Sequence, residues 1–436
     1  MQAKGMKSIL NLAFESTYGV LPSTGTIYRM PFNKNALTSK QNQIESNTIT
    51  GRRDAVQPGL GQIDVSGQID LPLDVRNIGL ALKAIIGVPT TTSLSTSGNL
   101  ISNSPIDVTL EDWIKITTGS FHISIDGTAS DVTGITFASV SSMAAIATAI
   151  QTAIQAANTK FSAVIVSYDE GTQKITITSG TTGATSSVSQ MTAAASGTYL
   201  GDLLNMTNGV STAGAALYQH VFKVGDSIPS LTIEKGFSDI SKYFRYLGAK
   251  VNKFSLTAQV GNNETTYTMD MMAANEVEAA VPLSAAPSSL ALLRFNNVNA
   301  EVKEGGNTLA ICRKIQLDID NGLDGDTYCL NGSGIRPAIN EGVLTPSGSV
   351  EALFIDTSLL DKAINGTETS LELIYSNGPY SLSIKLPELL FERATPTVDG
   401  PKGVTATLSY KGYYSNDSGN SAVIATLIND VSSYAG

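Results

Sequence analysis

The strongest constraint on how this chain folds is that it repeats itself. GQIDVSGQID at 61–70 aligns without gaps on GVLTPSGSVE at 342–351. Two residues are then lost, and KAIIG at 83–87 meets KAING at 362–366. Gly61, Ser66 and Gly67 match Gly342, Ser347 and Gly348, while Ile63, Ile69 and Asp70 meet Leu344, Val350 and Glu351. Upstream, YRMPFNKNA at 28–36 loosely echoes LRFNNVNA at 293–300. In both blocks a strand pattern leads into a short capped helix. Asp74 is placed to cap the first, with Val75, Ile78, Leu82 and Ile85 on one face and Gly87 as the stop. Asp356 caps the second, with Leu359, Leu360, Ala363 and Ile364 facing inward and Gly366 as the stop. A collinear set of this kind is the signature of an internal duplication.

Most of the remaining sequence reads as β. Period-two alternation recurs in Gln62–Leu73, Val251–Val260, Thr265–Met271, Ile315–Ile319, Thr369–Tyr375, Tyr380–Leu386 and Val404–Tyr410. Alternation, rather than continuous apolar runs, predicts antiparallel sheets with one packed and one wet face. From about Ile106 to Ala215 the composition shifts to Ser, Thr, Ala and Gly. The pattern there is FHISIDG, ITF, a helix at Ser141–Ala157, SAVIVSYD and KITITSG. This predicts a small α/β domain inserted at a loop tip, where loop closure costs little extra entropy. Ala274–Ser289 (ANEVEAAVPLSAAPSS) reads as an exposed linker. The expected organisation is therefore a first β domain from 1–105 and 216–273, an insert at 106–215, a linker at 274–289 and a second β domain at 290–436.

Charge and composition exclude several function classes. The 28 Lys and Arg against 38 Asp and Glu give a net charge of -10, the wrong balance for a dedicated nucleic-acid binder. No run approaches the ~20 apolar residues of a membrane helix. The N-terminal apolar run is broken by Asn11 and Glu15 and lacks a small-residue cleavage site, so no signal peptide is expected and synthesis in a host cytoplasm is. Cys312 and Cys329 have no metal-type spacing and read as reduced and buried.

Catalytic and metal-binding patterns are absent from the sequence as read, so neither an enzyme nor a cofactor is expected. His122 and His220 are the only histidines, and no nucleophile motif accompanies either. LDIDNGLDGDTY at 317–328 clusters Asp318, Asp320, Asp324 and Asp326 around two glycines. A Ca²⁺ loop needs a closing acidic ligand, but counting twelve residues from Asp318 or Asp320 ends on Cys329 or Asn331, so a strand followed by a turn is the expected reading.

Three blocks resemble the phage tail tube proteins of long, non-contractile tails. They are IESNTITGRRDAVQPGLGQIDVSGQIDLPLDVRNIGLALKAIIG (44–87), SLTIEKGFSDISKYFRYLGAKVNKFSLTAQV (230–260) and PTVDGPKGVTATLSYKGYY (396–414). The resemblance implies β-sandwich or barrel domains with a flanking helix, assembled as rings stacked into a hollow tube through which DNA leaves the virion. It implies partners of the same kind: other copies of this chain, tape measure and tail-end proteins, and genomic DNA passing without specific binding. Two such domains per chain would fill a six-position ring with three chains, six chains being the alternative. The insert resembles the small α/β element of flagellar hook-associated and phage surface proteins, a candidate for weak contact with cell surfaces or sugars. Arg52, Arg53 and Asp54 lie in a long patternless stretch, Ser46–Leu60, and are expected to contact a neighbouring ring or subunit. Arg336 is the corresponding candidate in the second half. A secreted or fimbrial β adhesin and a tail-associated glycoside hydrolase are the two rival readings.

Overall fold

The computed structural model describes residues 2–398, 400–416 and 419–434. The chain forms two compact units, one from 1–91 with 219–436, the other from 92–218.

The large unit is built from one strand arrangement used twice. In the first copy, Thr38–Ile44 pairs with Gly59–Pro72, which pairs with Thr266–Ala273, which pairs with the long strand Lys242–Gln259. The N-terminal part of that long strand then pairs with Leu231–Phe237, and that strand with Ser8–Phe14. In the second copy the order is Cys312–Asp320, Thr345–Leu353, Thr405–Tyr413, Tyr380–Phe391, Thr369–Asn377 and Ala300–Glu304. Asn275–Ala279 flanks the long strand of the first copy, and Ile424–Asn429 takes the same place in the second. Even the irregularities coincide, with a register shift at Leu231/Ile233 and another at Thr369/Leu371.

The ladders fix the alignment of the copies independently of the sequence. Thr38 faces Ser66 and Asp318 faces Ser347; Lys34 faces Asp70 and Lys314 faces Glu351. Ser66–Gly67 and Ser347–Gly348 therefore occupy one position in the fold, as the sequence alignment has them. Glycine is required there for a steric reason. A Cβ on Gly67 would collide with the carbonyl of Ala36, and one on Gly348 with the carbonyl of Gln316. The echo between 28–36 and 293–300 does not hold: the ladders pair Ala300–Glu304 as the counterpart of Ser8–Leu12, and 34–40 as that of 314–320.

The copies are joined strand to strand. Residues 253–259 of the first copy's long strand pair antiparallel with 314–320 of the second, from Lys253↔Asp320 to Gln259↔Lys314. Phe254, Leu256 and Ala258 meet Ile319, Leu317 and Ile315 on the packed face, all buried. One hydrophobic core runs through both copies. Other ties cross the same junction: Arg76 donates twice to the Asp430 carboxylate at 2.7 Å each, and Asn429 Nδ2 donates to Val75 O at 2.8 Å.

Two sequence expectations change here. Ala274–Ser289 is not an exposed linker: Asn275–Ala279 is a strand paired with Tyr243–Leu247, and Ser288–Ser289 pairs with Tyr28–Arg29. An Ala/Pro/Ser composition concealed main-chain pairing that needs no particular side chain. The helix Ile78–Ile86 forms as expected, with Asp74 accepting the N–H groups of Asn77 and Ile78 at 3.2 Å each. Its counterpart Ser358–Asn365 also forms and ends at Gly366 in the left-handed region, φ 61°. However, Leu359, Leu360 and Ala363 are only half-buried and Ile364 is exposed.

The second unit has its own core. Helix Met143–Ala157 is capped by Ser142, whose Oγ accepts the Ala145 N–H at 3.1 Å. It packs Ile146, Ile150 and Ile154 against Phe121, Ile123, Val166, Ile175 and Ile177. Trp113 is buried edge-on against Phe137, ring centroids 5.1 Å apart. The unit is wider than 106–215 because Asn99–Ile101 pairs with both Lys174–Thr178 and Val210–Thr212, and Leu100 joins its core.

Candidate assembly surfaces

Residues 41–60 are exposed throughout, and no strand covers 45–58. Arg52, Arg53 and Asp54 sit together in this loop. Arg52 Nη2 meets Asp54 Oδ2 at 2.9 Å, a solvent-exposed pair of the kind worth little to stability. The loop carries Ile49, and Ile44 and Leu60 at its base, as exposed apolar side chains.

Arg336 is placed differently. It is buried, and its guanidinium is fully engaged within its own chain: Nε donates to Gly325 O at 2.6 Å, Nη1 to Ala273 O at 3.1 Å, and Nη2 to the Asp64 carboxylate. It also lies over the Tyr328 ring, 5.0 Å from the centroid, while Tyr328 Oη donates to Ile63 O at 2.8 Å. Arg336 thus fastens the 325–336 segment to the strand Gly59–Pro72. These groups wall an open cleft of about 880 Å³ with Asn42, Ile44, Leu60 and Asp64 on its other side.

The remaining sequence candidates are occupied by structural work. Asp320 Oδ1 accepts the Gly322 N–H at 2.8 Å and Asp324 Oδ1 the Asp326 N–H at 3.0 Å. Asp318 faces Lys253 Nζ at 3.3 Å. Turn formation thereby accounts for the Asp/Gly pattern. His122 Nδ1 lies 2.6 Å from Asp131 Oδ1 in the small unit. His220 is buried in the large one, held by Thr91 Oγ1 at 2.9 Å and Val431 O at 2.9 Å, and its burial lowers its pKa. Cys312 is half-buried, with its thiol pushed up to about 11 by burial, whereas Cys329 is exposed, contrary to expectation. Cys329 lines the cleft in irregular chain outside any strand. Among the described residues no helix is long and apolar enough to cross a membrane, and no group of three or more His, Cys, Asp or Glu is arranged to hold a metal.

Among the described residues, Thr38–Ile44 pairs along one side only, with Gly59–Ser66. The segment 392–398 lies outside any strand, and all of it but Pro396 is exposed. Its first-copy counterpart, 252–258, lies in the long strand, whose residues 253–259 pair on one side with 314–320 and, over Lys253–Leu256, on the other with Tyr267–Asp270.

A family model described as phage tail tube protein matches residues 5–412. The chain belongs to the phage tail tube family. Membership makes it a structural component of the virion, one that assembles with itself and with other tail proteins into a tube. No curated protein matches the chain in a sequence search. A tube is made of heterologous contacts that repeat without closing on themselves. The segment 393–398 was missed in the sequence, where its signal is the alternation RATPTV.

Proposed function

We propose that three chains form one ring with six near-equivalent β domains, and that rings stack into the tube of a long, non-contractile tail. The observation that carries this reading is the doubled strand order within one unit, with its two copies joined by a main-chain ladder. If each copy fills one ring position, the in-chain joint is already one of the six joints, and three chains supply the rest. The loop with Arg52, Arg53 and Asp54 reaches the adjacent ring, where carboxylates receive the arginines. Arg336 contributes by holding the cleft wall against which a neighbour packs.

The lumen passes DNA towards the host and must not hold it. Each cation facing a phosphate adds affinity and friction, so a lumen of net negative potential suits the net charge of -10. The tape measure protein fills the lumen before ejection, and tail-end proteins cap the tube. The unit 92–218 decorates the outside, since a body of that size fits neither a channel for duplex DNA nor the space between stacked rings. The doubled order does not serve a monomeric adhesin or hydrolase. Electron microscopy of the purified protein tests the choice directly: rings and tubes are expected, and a field of isolated particles under all assembly conditions would refute it.

A further inference from the structure

We propose that Asn331 is a site of self-promoted deamidation, at which the Gly332 nitrogen closes on the Asn331 side-chain amide. The chain thereby acquires an aspartate or isoaspartate on the wall of the cleft, between Leu330 and Gly332, which both line it. The inference stands apart from the ring reading and holds for the chain before assembly.

The sequence contains Asn-Gly pairs at 208, 321, 331, 365 and 377. Glycine shields the nitrogen after an asparagine least, because it has no Cβ and turns freely. Sequence alone therefore treats these pairs alike, and the fold chooses between them. Asn321 is buried, and its Nδ2 donates to Ile85 O at 3.0 Å and to Val251 O at 2.9 Å. The Gly322 N–H beside it is bound to Asp320 Oδ1 at 2.8 Å. Asn365 ends a helix, and the Gly366 N–H closes that helix on Lys362 O. Asn377 pairs with Tyr380 at a strand end, and its Nδ2 donates to Arg294 O at 2.8 Å. Gly209, after Asn208, is buried so closely that a Cβ would come within 2.8 Å of the Leu100 side chain and 2.9 Å of Ile101 O. Its carbonyl is also held, by Gln190 Nε2 at 2.9 Å.

Asn331 differs from all of these. Asn331, Gly332 and Ser333 are exposed and lie outside any strand or helix. Their segment is pinned on either side, by Tyr328 Oη donating to Ile63 O at 2.8 Å and by Ile63 N donating to Gly334 O at 2.9 Å. A Cβ on Gly332 would meet nothing within 4 Å, so the backbone there has room to turn. Among the described residues, neither the Gly332 N–H nor Asn331 Nδ2 has a hydrogen-bond partner. Nucleophile and leaving group are both free. The carbonyl oxygen is not: Asn331 Oδ1 accepts the Ser333 N–H at 3.0 Å and the Ser333 hydroxyl at 2.6 Å. The Ile335 N–H donates to Ser333 Oγ at 3.4 Å, which leaves the hydroxyl proton for Asn331. Two donors on the oxygen that takes up charge form a small oxyanion hole, the arrangement that lowers the barrier to acyl transfer.

The step balances with water as its only co-reactant. A solvent base removes the Gly332 amide proton, and the nitrogen adds to Asn331 Cγ, held beside it by the chain itself. The electron pair of the C=O double bond moves onto Oδ1, against Ser333. It then returns and expels Nδ2, which takes a proton from water and leaves as ammonia. Water opens the succinimide at either carbonyl, giving aspartate from one and isoaspartate from the other. Each event adds one negative charge to the chain's -10, beside a cleft that Asp64 and Asp326 already line.

The test is to incubate purified full-length chains at mildly alkaline pH, folded and in denaturant, and to map their peptides by mass spectrometry over time. In the folded protein Asn331 should convert first, yielding both aspartate and isoaspartate as ammonia is released. Earlier conversion at 208, 321, 365 or 377 would overturn the proposal. So would aspartate alone, the product of direct amide hydrolysis. In denaturant all the Asn-Gly pairs should convert at similar rates, and the same lead for Asn331 there would overturn the role of the fold. Ser333→Ala removes the hydroxyl donor from an exposed position and keeps the N–H. Conversion at 331 should then slow roughly fivefold, the worth of one hydrogen bond, with an unchanged circular dichroism spectrum. An unchanged rate would overturn the oxyanion hole.

Discussion

The helices Ile78–Ile86 and Ser358–Asn365 occupy the same place in two copies of one fold and meet different fates. All nine residues of the first are buried and none of the second is. Cap and stop are of the same kind in both, an aspartate before and a glycine after. The difference comes from what lies outside each helix. The first is covered by residues of the second copy: Tyr434 stacks on Gly79 and donates to Arg76 O at 2.5 Å, and Asn321 reaches Ile85 O. The second helix has no third copy to cover it. Burial of the first helix is thus supplied by the second copy, and the second helix has no such cover within its own chain.

The largest effect that can break this comparison is Ile85→Asp against Ile364→Asp. An unpaired carboxylate at the fully buried Ile85 should cost several kcal/mol, enough to unfold the large unit. The same change at the 46% exposed Ile364 should leave melting of the free chain within about 0.5 kcal/mol of wild type, yet stop ring formation. Assembly that survives Ile364→Asp would mean the second helix stays uncovered in the tube. Next in size, Gly67→Ala and Gly348→Ala should each destabilise by roughly 2–3 kcal/mol, because both force a carbonyl to move. Chemical denaturation is the readout, and a neutral outcome at only one of them would show that the copies do not share that constraint.

Two smaller effects sharpen the picture. Replacing Arg52 and Arg53 by Glu should alter folding stability by less than about 0.5 kcal/mol while shortening or abolishing tubes, with rings still visible by microscopy. Normal tubes would remove the loop from the stacking contact. His220 ties Thr91 to Asn429 and Val431, at the seam of the two copies. Its folded pKa is depressed by burial, so its contribution is complete above the unfolded value, about 6.5, and is lost as pH falls through the folded value. The melting temperature should decline below about pH 6.5 and decline less in His220→Gln; equal acid sensitivity of the two proteins would assign the loss to other groups.

Much of the fold was legible because alternation and turn chemistry are local. Every run with a strand pattern in the β halves overlaps a strand to within a residue at either end, and Ser66–Gly67 and Ser347–Gly348 coincide in the ladders. What was lost was decided by tertiary partners. Asn275–Ala279 pairs through its main chain, so its Ala- and Glu-rich sequence gave no strand signal. Leu360 and Ile364 have the spacing of an inward face, but spacing does not say whether anything lies inside. Arg336 is the second half's nearest match to the Arg52–Arg53 loop; its burial depends on the carbonyls of Gly325 and Ala273 and on Asp64, which the sequence does not bring together. The small unit's edge was misjudged for the same reason, since Asn99–Ile101 belongs to it only through strands more than seventy residues later.

The central claim is that one chain supplies two ring positions. Native mass spectrometry of rings released from purified tubes, together with class averages of the same rings viewed end-on, counts the chains directly. Three chains under a six-lobed outline is the predicted result. Six chains per ring, with twelve lobes or with the second copy outside the ring, would contradict it.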